Sequence, residues 1–323
     1  MAPIAVSLRN HVCRNRFGSV KCLSPEHILG LCNHVLQTSP LALNEELINM
    51  DEATQFGLYD SAFEKSSCGV GFLTRKDGKQ THELLVKGHE ALCAVPHRGG
   101  MSAEGVGDGA GVSVDLSVEF FNKVTNSKLT PGEFGVANFF LPNDPSQHQS
   151  ARELVDLALE AQGMKILVTR DVQVDNSVLR PASVKYQLPI AQWVFAAPAG
   201  VRGTQLDKVI HKALLAIESK AYTEVALDGL YPLSMSAQMQ VLKGRLNSNE
   251  IIPYFLDLND SAHSIHTLYF HTRFSTNTDP HPSMAQPFRL MAHNGELNTD
   301  KKNRLSETAI ARSKENNIIR PKG

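Results

Sequence analysis

A mixed α/β fold, with two sheets and helices packed outside them, is what this sequence predicts. Three observations carry that expectation. Beyond residue 68, short apolar stretches of strand length alternate with segments of helical period. The strands outnumber those of a simple parallel doubly wound sheet. An apolar share of 42% is ample for a core, yet no apolar run approaches the roughly 20 residues needed to span a bilayer.

The elements follow in order. Residues 69–74 form a short apolar run of strand length. Residues 82–95 place Leu85, His89, Leu92 and Val95 at helical spacing. Residues 109–116 read as a strand with Val112, Val114 and Leu116 on one face, and 136–141 as another. Residues 146–162 form an amphipathic helix with Leu154, Leu157, Ala158 and Ala161 inward and Gly163 as its stop. Residues 164–169 and 190–196 are buried strands, the second holding the sole tryptophan, Trp193. Residues 204–222 form a second strong helix on Leu206, Val209, Ile210, Ala213, Leu214 and Ile217. Residues 235–242 alternate Met235, Ala237, Met239 and Val241 with polar partners, as one half-buried strand should. Strands at 266–274 and 288–293 and a polar helix at 296–316 complete the pattern.

Charge is nearly balanced, with 32 Lys+Arg against 33 Asp+Glu, and no basic stripe or patch points to a nucleic acid. The cysteines Cys13, Cys22, Cys32, Cys68 and Cys93 show no paired spacing, so neither a disulfide scaffold nor a zinc site is expected. The 13 histidines show no metal-ligand spacing either, and no metal site is expected. Reduced thiols in a cytoplasm or organelle matrix are the economical reading. Residues 1–67 read as a separate N-terminal extension or propeptide. Its first 25 residues carry Arg9, Arg14, Arg16 and Lys21 and no acidic residue, like a weak plastid or mitochondrial targeting segment. A plain bacterial extension in a cytoplasmic protein is the alternative we favour. Glu45, Glu46, Asp51 and Glu52 break the targeting composition well before Cys68.

Cys68 opens the run Cys68-Gly69-Val70-Gly71-Phe72. A buried structural cysteine is the ordinary reading of such a residue. The small neighbours in Ser66-Ser67-Cys68-Gly69, however, leave the Ser67–Cys68 bond open to processing. Cleavage there would give Cys68 a free α-amine of pKa about 8, able to take the thiol proton directly. Arg273 reads as a surface arginine at a strand end. Arg98 reads as a charge at a helix C-terminus before a glycine stop. Asn294-Gly295 reads as a turn. The run Gly105-Val106-Gly107-Asp108-Gly109-Ala110-Gly111 matches no phosphate-binding loop and reads as a tight turn into a strand.

Taken in order, Cys68-Gly69-Val70-Gly71-Phe72, His97-Arg98-Gly99, Gly107-Asp108-Gly109-Ala110-Gly111, Arg273-Phe274-Ser275-Thr276-Asn277-Thr278, Ala285-Gln286-Pro287-Phe288-Arg289 and His293-Asn294-Gly295-Glu296-Leu297-Asn298 resemble the class II (N-terminal nucleophile) glutamine amidotransferase domain of the glutamate synthase large subunit. The resemblance spans residues 68–298. It implies the four-layer α/β/β/α (αββα) sandwich of N-terminal nucleophile hydrolases and hydrolysis of L-glutamine to glutamate and ammonia. By the same resemblance Cys68 is the nucleophile, Asn294 and Gly295 form the oxyanion hole, and Arg273 holds the α-carboxylate of glutamine. Arg98 braces the loop around the cysteine, and Gly99, Ser275 and Thr276 complete the substrate-binding set.

The expected domain is 68–323. The sequence stops at Gly323 before the Ser-Asp-Ser-like segment whose aspartate holds the α-amino group of glutamine in this family. A truncated end is therefore expected. The alternative to an active glutaminase is an incomplete fragment that acts as a partner-binding module or split-gene piece. Leu233-Ser234-Met235-Ser236-Ala237-Gln238 also stands where the family shows a Ser-Ser-Arg-Thr type strand. No cofactor is expected in this chain. FMN and an iron–sulfur cluster belong to absent synthase domains, supplied separately as a partner domain or subunit.

Overall fold

The computed structural model describes residues 4–7, 69–224, 227–273, 281–284 and 286–288. Nine strands are described: β1 (Ile4–Ser7), β2 (Val70–Arg75), β3 (Ala110–Asp115), β4 (Phe134–Phe140), β5 (Lys165–Asp171), β6 (Ile190–Ala196), β7 (Tyr231–Ser236), β8 (Met239–Gly244) and β9 (Thr267–His271). The longer helices are α1 (Glu83–Ala94), α2 (Val118–Thr125), α3 (His148–Ala161) and α4 (Thr204–Thr223). The strands form two antiparallel sheets, one in the order β1-β2-β9-β3-β8 and one in the order β5-β6-β4-β7. This is the expected two-sheet α/β architecture.

Every residue of β4 is buried, because the strand is covered on both faces. Ala137 and Phe139 face α3 and α4, where they meet Val155, Leu159, Leu206 and Ile210 around Trp193. The flanking Val136 and Phe140 pack into the cores on the other side. The Trp193 indole satisfies its N–H on Asp156 of α3 at 2.7 Å. On the first sheet, α1 buries Leu84, Leu85 and Leu92 among Leu73, Val112, Val114, Leu268 and Phe270.

The two sheets meet through polar groups as well as apolar ones. Gln192 Nε2 of β6 donates to Asn138 Oδ1 of β4 at 2.9 Å, and Asn138 Nδ2 donates to the Val241 carbonyl of β8 at 3.1 Å. Arg170 of β5 donates to Gln192 Oε1 at 2.7 Å and pairs with the carboxylate of Asp257. His263 closes the network. Its Nδ1 donates to the Asp257 carbonyl at 2.8 Å, which leaves Nε2 to accept from Gln240 Nε2 at 3.5 Å. Burial pushes the His263 pKa down from 6.5 to about 4, so the ring is neutral at pH 7.

Four expectations require correction. No residue of β5 is fully buried, although 164–169 reads as a buried strand. The segment 235–242 is not one strand: β7 ends at Ser236, and β8 begins at Met239 in the other sheet. Ser236 Oγ accepts from the Gln238 N–H at 3.0 Å, and Gln238 Nε2 donates to Asp207 at 2.8 Å, which stabilises a turn inside an otherwise unbroken alternation. In α3 the buried stripe is Ala151, Val155, Ala158 and Leu159. Leu157 is 65% exposed, because two residues beyond Val155 lie about 200° round the helix. Ala161 is exposed too. The helix α2 was not anticipated, although Ser117 caps it by accepting from the Phe120 N–H at 3.3 Å. The strand expected at 288–293 lies outside the described residues beyond Phe288, as does the helix expected at 296–316.

Candidate active site

β2 is glycine-spaced because its neighbours leave no room for side chains. A Cβ on Gly71 would fall 2.3 Å from the Phe270 ring of β9. A Cβ on Gly69 would lie 2.6 Å from Thr272 Oγ1 and 2.9 Å from Arg98 Cβ. Gly69 is therefore the point where β2, the residue after β9 and the His97-Arg98-Gly99 turn converge. Thr272 holds it by its backbone: the Gly69 N–H donates to Thr272 Oγ1 at 3.0 Å, and the Thr272 N–H donates to the Gly69 carbonyl at 2.9 Å.

Arg98 ends the 3₁₀ turn Pro96–Arg98, which runs on from the C-terminus of α1. The following Gly99 passes the Thr272 carbonyl so closely that a Cβ there would sit at 3.1 Å. From Gly100 the chain loops out and returns, with the Ser102 N–H donating to the Val106 carbonyl at 2.9 Å and the Asp108 N–H to the Gly100 carbonyl at 2.8 Å. An ideal Cβ on Gly100 would lie 1.6 Å from Asp108 Oδ2, so the carboxylate occupies the space the glycine leaves. Asp108 Oδ2 lies 3.6 Å from Arg273 Nε, a distance that makes an ion pair without a direct hydrogen bond.

Arg273 follows Thr272, and its N–H donates to His271 Nδ1 at 3.2 Å. That contact assigns the His271 proton to Nε2. His271 is fully buried and lies between Val70 and Gly111 in the sheet register, with Lys243 opposite Gly111. Directly opposed residues share a face, so His271 and Lys243 flank the side-chain-free Gly111. Lys243 is 1% exposed. Its Nζ donates to the Ser283 carbonyl at 3.0 Å and lies over the Tyr231 and Phe288 rings at 5.3 and 4.9 Å. Burial lowers its pKa from 10.5 to about 7.

Of the residues singled out from sequence, Arg98, Gly99 and Arg273 are thus brought together beside Gly69. Cys68, Ser275, Thr276, Asn294 and Gly295 lie outside the described residues. Sequence reasoning passed over Thr272, Gly100, Asp108 and Lys243. Asp108 lies within the run 105–111, which reads as a tight turn, and Gly100 lies just beyond the His97-Arg98-Gly99 motif. Lys243 gave no signal, since a strand lysine is ordinarily solvated. Among the described residues no cluster of three His, Cys, Asp or Glu side chains is placed to hold a metal ion, and no helix is long and apolar enough to cross a membrane.

The arrangement joins a cationic guanidinium, a clamped strand start and three glycine-permitted close approaches at one end of the first sheet. Comparison with known proteins is in keeping with that geometry. Residues 68–321 match the family described as glutamine amidotransferases class-II. The chain is 34% identical over 241 residues to ferredoxin-dependent glutamate synthase 2 of Synechocystis sp., covering 73% of this chain and 15% of that protein. It is 33% identical over 260 residues to the glutamate synthase [NADPH] large chain of Azospirillum brasilense, covering 79% of this chain and 17% of that protein. It is 31% identical over 292 residues to ferredoxin-dependent glutamate synthase 1, chloroplastic/mitochondrial, of Arabidopsis thaliana, covering 88% of this chain and 17% of that protein. The chain spans less than a fifth of the length of these relatives. It belongs to the class II glutamine amidotransferases.

Proposed function

We propose that this chain hydrolyses the side-chain amide of L-glutamine, with Cys68 as an N-terminal nucleophile. The observation that carries the reading is the clamp on Gly69. The residue directly after Cys68 is held at both its N–H and its carbonyl by Thr272, beside Arg98, Gly99 and Arg273. Such a start to a strand fixes the peptide from which a nucleophile projects, and orientation of this kind is a large part of catalysis.

In this reading the Ser67–Cys68 bond is cleaved, and 68–323 is the functional domain. The freed α-amine takes the Cys68 thiol proton, and the thiolate attacks the amide carbon of glutamine. The Asn294 amide and the Gly295 N–H hold the oxyanion. Collapse expels ammonia, which leaves with the proton from the α-amine, and water hydrolyses the glutamyl thioester to glutamate. Arg273 holds the α-carboxylate, Arg98 and Gly99 brace the cysteine loop, and Ser275 and Thr276 complete the pocket. The full fold is a four-layer αββα sandwich built on the two sheets.

The ammonia acceptor and its flavin and iron–sulfur chemistry are assigned to a synthase portion outside this sequence. We place the chain in the cytoplasm, with a plastid or mitochondrial matrix as the alternative. Intact mass and N-terminal sequencing of the purified chain test the unmasking step. A start at Cys68 supports it, whereas a fully active chain that retains residues 1–67 contradicts it.

A further inference from the structure

We propose that Asp108 is a positioning residue for Arg273: its carboxylate, seated in the space Gly100 leaves open, aims the guanidinium that receives the α-carboxylate of the substrate. The inference rests on the substrate-binding role given to Arg273 above.

Three features of the loop support it. The carboxylate reaches Arg273 through Nε at 3.6 Å, and the two side chains are only 22% and 12% exposed. The backbone under Asp108 is fixed, since its N–H donates to the Gly100 carbonyl and Met101 bridges Gly107. Gly107 itself lies against the Leu246 carbonyl, where a Cβ would be 2.4 Å away. Finally, the three atoms nearest a Cβ at Gly100 all belong to Asp108, and the Gly100 φ lies outside the left-handed region. Glycine at 100 therefore serves the carboxylate and no unusual backbone conformation.

The physical consequence is preorganisation. An arginine side chain is rich in rotamers and loses that freedom when it is fixed. A fixed carboxylate at Nε restricts the plane of the guanidinium before substrate arrives, so less is lost on binding. It also sets the anion-binding direction, because a second carboxylate on the Asp108 side would meet like charge. Selectivity for a substrate bearing an α-carboxylate then depends on Asp108 without Asp108 touching it.

The test measures kcat and KM of the full chain for L-glutamine and for its α-carboxamide analogue, L-glutaminamide. The variants are Asp108→Asn, Gly100→Ala and Arg273→Lys. Gly100→Ala keeps the charge but displaces the carboxylate, and decides the matter if Asp108→Asn does not fold. We expect Asp108→Asn and Gly100→Ala to raise KM for glutamine about 10-fold, with kcat held within about 3-fold. The preference for glutamine over the analogue should fall by about the same factor as KM rises. If both variants lower kcat/KM equally for the two substrates, or change neither, while Arg273→Lys abolishes the preference, the positioning role is overturned and the Arg273 role stands. If Arg273→Lys leaves the preference intact, the reading of Arg273 itself fails and this inference with it. A wild-type chain with no glutaminase activity refutes the proposed function.

Discussion

Thr272 Oγ1 accepts the Gly69 N–H at 3.0 Å while the Thr272 N–H donates to the Gly69 carbonyl at 2.9 Å, so one residue fixes both polar groups of the other. Thr272→Val preserves shape and leaves the buried Gly69 N–H without its acceptor. An unsatisfied buried donor costs about 1–3 kcal/mol. We predict a fall in kcat of about 10-fold or more in a steady-state glutaminase assay. Thr272→Ser, which keeps the hydroxyl, should restore most of the rate.

The neutral His263 gives a defined pH response. Its folded pKa of about 4 lies below the unfolded 6.5, so between these values the unfolded chain binds a proton that the folded one does not. Stability contributed by the neutral ring is present above pH 6.5 and is lost as pH falls towards 4, by about 3 kcal/mol in all. Urea denaturation of wild type and His263→Gln at pH 7 and pH 4 measures this. The acid loss should be smaller in the variant, and equal losses would exclude His263 as a source.

Lys243 predicts a response at the other end of the scale. Its folded pKa of about 7 is below the usual 10.5, so from pH 7 upward the unfolded chain holds the extra proton. Folded stability should rise between pH 7 and 9 by about 2 kcal/mol from this group alone. Lys243→Met should lack that rise in chemical denaturation. An unchanged pH slope in the variant would place the titration elsewhere.

Gln192 tests the polar contact between sheets. Its amide donates to Asn138 and, across the sheets, to Gln240 Oε1 of β8 at 3.3 Å, and accepts from Arg170, so Gln192→Leu strips partners from two buried amides and a guanidinium at once. A loss of about 2–4 kcal/mol follows from leaving such groups unsatisfied. Thermal denaturation should show a midpoint lower by several degrees. A midpoint within about a degree of wild type would mean the network contributes little.

How much of this was legible beforehand follows from where the information lies. The helix α4 is legible because it buries one repeating set of positions, Leu206, Ile210, Ala213, Leu214 and Ile217, and the strands β2, β3, β4, β6 and β9 because each is a short, mostly apolar run. The β7–β8 turn was not, because Met235, Ala237, Met239 and Val241 keep their alternation straight through it. Arg98, Gly99 and Arg273 stand out through their ordered motifs, while their placement beside Gly69 comes from the fold. Thr272 and Asp108 act through neighbours 203 and 165 residues away in the chain, a relation that local pattern does not encode. The buried Asn138, Gln192 and Gln240 are likewise polar residues inside strands, and only the approach of the second sheet reveals why they are tolerated.

If Cys68 performs the chemistry, its removal must abolish turnover. Glutamate release from L-glutamine is to be measured for the purified wild-type chain and for Cys68→Ala. Measurable turnover is expected in the wild type, with loss to background in the variant. Full activity in Cys68→Ala would contradict that role.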